Sequence, residues 1–145
     1  MKKLKTILLV DDDQVNNYLN KIILQELAIA ETIHIASNGK IALAYLLEHC
    51  ESTSRICPEL IIFDHQMPVM DGMELIKSLQ ANDFINRKEV VFILLGIHTK
   101  AEDIKKFQEL GVQEFTTKPL SKETVMEVYH KYWAGDTAQD HTCVS

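Results

Sequence analysis

Apolar residues gather along the chain in two alternating rhythms. Residues 6–10, 61–63, 90–95 and 113–117 are short runs rich in Val, Ile, Leu, Phe and Thr, each stopping at a charged or small residue. Runs of this length read as buried strands, and residues 32–36 (Thr-Ile-His-Ile-Ala) read as another. Between the runs the period becomes helical. Val15, Leu19, Ile22, Ile23 and Leu27 share one helix face, Ile41, Ala42, Tyr45 and Leu46 a second, and Leu75, Ile76 and Leu79 a third. Ile104, Phe107 and Leu110 define a fourth, and Val125, Val128, Tyr129 and Tyr132 a fifth.

Polar residues mark where these helices begin and end. Asp13 precedes the first, and Ser37 or Asn38 the second; Asn38-Gly39 could instead turn a hairpin, but the helical period continues beyond it. Asp71 with Glu74, and Thr99 with Glu102, have the spacing of capping boxes. Ser121 opens the last helix, and Gly111 suits the position just past the fourth. Five strand–helix units in succession predict an α/β fold, a parallel sheet covered on both faces and joined by right-handed crossovers.

In such a sheet, ligands bind beyond the carboxyl ends of the strands. Parallel strands would bring Asp11 and Asp12, Asp64, Gly96 and Lys118 to one rim. Crowded carboxylates repel and raise one another's pKa unless a cation or a shared proton intervenes. The candidate ligands are hard oxygens without a His/Cys pair at metal-ligand spacing, which favours Mg²⁺ over zinc or copper. An ionised aspartate, a hard cation and a lysine together suit phosphoryl transfer, with Asp64 as the acceptor nucleophile.

With these residues in place, the chain resembles the receiver domain of bacterial two-component response regulators. The resemblance runs from Lys5 to about Trp133 and rests on Val10-Asp11-Asp12, the D-H-Q-M-P-V-M-D-G segment from Asp64, Leu110-Gly111-Val112 and Lys118-Pro119. It implies a doubly wound, flavodoxin-like (βα)5 domain with strand order 2-1-3-4-5. It also implies that Asp64 is phosphorylated by a histidine kinase or phosphotransfer protein. Asp12 and Asp64 would ligate Mg²⁺ directly, Gln66 would add its backbone carbonyl, and Asp11 would act mostly through water. Lys118 would pair with the phosphoryl oxygens, and Phe115 matches the aromatic residue whose orientation reports activation. Residues 1–134 would form the receiver and residues 135–145 a flexible tail.

One position departs from that pattern. Gly96 stands where the family carries the Thr or Ser whose hydroxyl bonds the phosphoryl group, and Ile97 follows where a small residue is usual. The family's usual hydroxyl–aromatic coupling is therefore in question, and a branched Ile97 would narrow access to Asp64. Three readings follow. The first is a stand-alone receiver that signals through a protein partner across roughly residues 100–133, or passes phosphate onward, with homodimerisation through the same elements also compatible. The second is a constitutive binding module indifferent to phosphate. The third, a Mg²⁺-dependent phosphatase, wants a second carboxylate two residues after the nucleophile, where Gln66 stands.

Charge and length narrow the field. The chain has 145 residues, enough for one ordinary domain, with 15 basic against 21 acidic residues and a net charge of −6. Without a basic cluster or a C-terminal helix-turn-helix segment, nucleic acid is not an expected partner. No apolar stretch spans a bilayer and residues 1–6 do not open a signal peptide, so a cytoplasmic location is expected. Cys50, Cys57 and Cys143 match neither an even disulfide set nor a metal spacing and are read as reduced thiols. Asp13 and Asp71 are read as caps, His65 and His98 as solvent-facing loop residues, residues 52–55 as a linker, and Tyr129, Tyr132 and Trp133 as packing groups.

Overall fold

Five strands and five helices alternate along the chain: β1 Leu4–Val10, α1 Gln14–Leu27, β2 Ala30–Ala36, α2 Gly39–His49, β3 Leu60–Asp64, α3 Gly72–Ala81, β4 Val91–Gly96, α4 Ala101–Glu109, β5 Glu114–Thr117 and α5 Lys122–Tyr132. The structure, a computed structural model, describes residues 3–50, 57–82, 90–97 and 99–133. The expected tail, residues 52–55, His98 and Cys143 lie outside the described residues. The strands form one parallel sheet in the order β2-β1-β3-β4-β5, as the family resemblance implied.

Alternation along the central strands sends side chains to two separate cores. Leu8 and Val10, Ile61 and Phe63, and Phe92 and Leu94 face one side, where they meet Ala42 and Leu46 of α2, Leu75, Ile76 and Leu79 of α3, and Phe107 of α4. Leu9, Ile62, Ile93 and Leu95 face the other, against Leu24 of α1 and Val125, Val128 and Tyr129 of α5. Both faces are covered, so β1, β3 and β4 carry the continuous apolar runs seen in the sequence. Phe63 sits edge-on between Phe92 and Phe107, with centroids 6.3 and 5.8 Å away.

The helix boundaries follow the local chemistry. Asp13 accepts from the amides of Val15 and Asn16, Asn38 from Ile41, and Ser121 from Thr124. Asp71 and Glu74 form a complete capping box. At the end of α4, Gly111 has φ 104°, and its amide reaches Gln108 while that of Val112 reaches Phe107, the paired bonds of a Schellman motif. Thr99 with Glu102 does not form the expected box: Lys100 is the N-cap of α4, and no side chain caps it.

Three further expectations are corrected. Val15 and Leu19 are 64% and 51% exposed, while α1 buries Asn17, Asn20 and Leu24 instead, because Asn17 turns inward to donate its amide to the Asp11 carbonyl at 2.7 Å. His65 is half-buried and packs its ring edge-on against Phe107, 5.1 Å between centroids, rather than facing solvent. Cys50 and Cys57 are joined in a disulfide, not reduced. Cys50 ends α2 and Cys57 leads towards β3, and the fold brings their Cα atoms to 4.6 Å.

Thiol titration of the unreduced protein in denaturant should therefore find one free thiol of the three cysteines in the chain. Finding all three free would refute the pairing. Reduction should lower unfolding stability by about 2 kcal/mol, the loop-closure value for so short a ring, measured by urea denaturation with and without reductant.

Candidate functional site

Sheet register fixes which side chains meet. Val10 pairs with Phe63, so Asp11 and Asp64 leave adjacent strands at the same level. Asp64 pairs with Leu95 and Gly96 with Thr117, so the exits of β4 and β5 follow as a staircase, with Lys118 on the last step. From there the lysine ammonium donates to Asp11 Oδ2 at 3.2 Å and to Asp64 Oδ2 at 3.1 Å. The other carboxylate oxygens take backbone donors: Asp11 Oδ1 accepts from the amide of Asp13 at 3.0 Å and Asp64 Oδ1 from that of His65 at 2.8 Å.

The loop after Asp64 is held on two sides. Met70 accepts from the amide of Gly39 at the start of α2, and the amide of Gly72 donates to the His65 carbonyl at 2.8 Å. At Gly72 the backbones approach so closely that a β-carbon would stand 2.6 Å from the Asp64 carbonyl oxygen, which is why glycine follows Asp71. Gln66 is exposed in this loop, and Asp12 is exposed at the end of β1.

The charges are under tension. Burial pushes the Asp64 carboxyl above the usual carboxylate range, and Asp11 adds to the push. The Lys118 ammonium and the His65 amide pull the other way without cancelling it. Burial disfavours the Lys118 ammonium, yet bonding to Asp64 and Asp11 outweighs this and raises its pKa. One oxygen each from Asp11, Asp12 and Asp64 lies within 4.8 Å of the others. With more acid than base at the rim and only hard oxygen donors, this set fits a divalent cation such as Mg²⁺.

Residues 7–130 match the Response regulator receiver domain family. The chain belongs to that family. Among curated relatives, the receiver is 30% identical over 128 residues to the two-component response regulator ARR22 of Arabidopsis thaliana, covering 86% of this chain and 80% of that one. Among solved structures, a two-component response regulator from Cytophaga hutchinsonii superposes with a TM-score of 0.80 at 26% identity, covering 90% and 98% of the two chains. The receiver domain of the histidine kinase CKI1 from Arabidopsis thaliana, solved with Mg²⁺ and BeF₃⁻, gives a TM-score of 0.69 at 21% identity over 79% of this chain and 80% of that one.

Within this receiver, Asp11, Asp12, Asp64, Gln66, Gly96, Ile97 and Lys118 lie at the carboxyl edge of the sheet, and Phe115 lies on the strand leading to Lys118. Asp64, Gln66, Gly96 and Ile97 share a small cavity of about 70 Å³, with Ile97 60% exposed at its edge. Phe115 is half-buried one strand away and lines a separate, mostly apolar cavity of about 150 Å³ with Leu94, Gly96, Thr99 and Ile104. Two site residues escaped sequence reasoning. Asn17, which ties α1 to the carbonyl of Asp11, was signalled only by a polar residue at an inward helix position. His65 caps the Phe107 ring beside Asp64 and carried no periodic signal at all. Among the described residues, no helix is long and apolar enough to cross a membrane.

Removing the lysine should leave two buried carboxylates facing each other. Lys118→Ala is expected to destabilise the metal-free receiver by about 3 kcal/mol, the scale for breaking one side of a buried ion pair. Saturating Mg²⁺ should recover part of that loss through linkage. Urea unfolding with Mg²⁺ and with chelator reads both effects, and an unchanged midpoint for the variant would contradict the electrostatic account.

Proposed function

We propose that this receiver accepts a phosphoryl group on Asp64 from a phosphohistidine of a kinase or phosphotransfer protein and signals by protein–protein contact. The observation that carries the reading is the Lys118 ammonium held between the buried carboxylates of Asp11 and Asp64. In the transfer, an oxygen of Asp64 forms a bond to phosphorus as the P–N bond breaks, and the imidazole leaves with that electron pair. The donor's own site supplies the proton.

Asp11, Asp12 and Asp64, with the backbone carbonyl of Gln66, would hold Mg²⁺, which supplies charge neutralisation for the incoming phosphoryl oxygens. This chain's residues do the rest. Lys118 lies within hydrogen-bond reach of Asp64 and turns to the phosphoryl oxygens once they arrive. The His65 amide fixes the rotation of the Asp64 carboxylate. The bound Mg²⁺ and BeF₃⁻ of the similarly folded CKI1 receiver domain support the same ligand chemistry here. Residues 1–134 act as the receiver domain in this proposal, and the chain turns over no substrate.

Incubation with a small-molecule phosphodonor and Mg²⁺, read by intact mass, should give one phosphoryl adduct. The adduct should disappear in Asp64→Asn and under chelation. A folded, Mg²⁺-binding protein that takes no phosphoryl group from either a small-molecule donor or a phosphorylated phosphotransfer protein would reverse the proposal in favour of a constitutive binding module.

A further inference from the structure

Gly96 leaves a gap in the receiver pattern, and the structure fills it from an unexpected direction. A β-carbon placed on Gly96 would collide with the Thr99 hydroxyl oxygen. The space in which a side chain at 96 would begin is thus already taken by an Oγ, delivered from three residues further along. A side chain at 96 would have to turn the Thr99 hydroxyl out of this position.

We infer that Thr99 carries the hydroxyl that Gly96 lacks and donates it to a phosphoryl group on Asp64. This rests on the acceptor reading above. Thr99 lines the same cavity as Asp64 and Gln66, whereas Thr116 and Thr117 line the apolar cavity beside it and not this one. Its hydroxyl does not cap α4, whose N-cap Lys100 receives no side-chain bond. Thr99 also belongs to the wall of the apolar cavity beside Phe115, so a pull on its hydroxyl from the acceptor side shifts the lining of a space on the β5 side. The link from phosphate to the β5 face is thereby moved off the strand end and onto the segment leading into α4. The simpler account, in which Thr99 merely fills a hole, predicts that shape matters and the hydroxyl does not. Valine, which keeps the branch and removes the donor, separates the two.

The test is titration with beryllofluoride and Mg²⁺, followed by backbone amide spectra, alongside a separate titration with Mg²⁺ alone. Wild type should bind beryllofluoride, and Thr99→Val should bind it about tenfold more weakly, equivalent to about 1.4 kcal/mol, with its Mg²⁺ affinity retained. Thr99→Ser should keep most of the affinity. The exchange variant Gly96→Ser/Thr99→Gly, which moves the hydroxyl to the strand end, should recover affinity lost in Thr99→Gly. Equal binding by wild type and Thr99→Val overturns the inference. Should Thr99→Val misfold, failure of the exchange variant to recover affinity overturns it instead. Wild type that binds Mg²⁺ but no beryllofluoride would instead remove the acceptor reading itself, and this inference with it.

Discussion

One ammonium group between two buried carboxylates organises the carboxyl edge of this sheet. Asp11 and Asp64 have no freedom to separate, because Val10 and Phe63 are paired and each aspartate is the next residue along its strand. Side chains only 5% and 10% exposed cannot rely on water to screen their repulsion. Lys118 resolves the conflict from two strands away. Its stem spans the end of β4, and its own backbone amide is anchored to the Gly96 carbonyl at 3.1 Å. The small residue at 96, the turn into Lys118 and the parallel register are parts of one electrostatic arrangement.

That arrangement is incompletely balanced. Asp64 remains harder to ionise than an ordinary aspartate even with the lysine beside it, and Asp12 adds a third carboxylate on the exposed side. A site with surplus negative charge is poised for a cation, and the cation and lysine together then suit a group that arrives carrying negative charge of its own. The core beneath Phe63 supports this edge mechanically. Phe63 precedes Asp64 and is wedged between Phe92 and Phe107, while the His65 ring closes over Phe107, so Asp64 stands on an aromatic base.

The sheet, its polar rim and most helix caps were legible in the sequence because each is written in adjacent residues. Apolar runs ending in Asp or Lys, Asp71 with Glu74, and Gly111 after Leu110 each carry their own local reason. Strand order came from family resemblance, since periodicity alone does not say which strand neighbours which. Features that depend on how the chain turns between two elements were misread. The face of α1 was misplaced because Asn17 looks polar in isolation and is buried only by the carbonyl it finds at Asp11. Cys50 and Cys57 looked like unpaired thiols until the fold brought the end of α2 against the approach to β3. Thr99 looked like a helix cap because its spacing to Glu102 is right, but it faces the void at Gly96.

The pairings made by Lys118 span 107 residues to Asp11 and 54 to Asp64. Contacts so far apart in sequence cannot exist before the intervening strands have closed, since the loop entropy falls due first. Helices and single βα units can form and dissolve without ever presenting a lysine to an aspartate. The cluster of Lys118 with Asp11 and Asp64 is therefore a property of the finished sheet alone. A nascent or partly unfolded chain displays the same acidic residues yet lacks the lysine that completes the cluster, so under the proposed function it would have no site in which to take up a phosphoryl group.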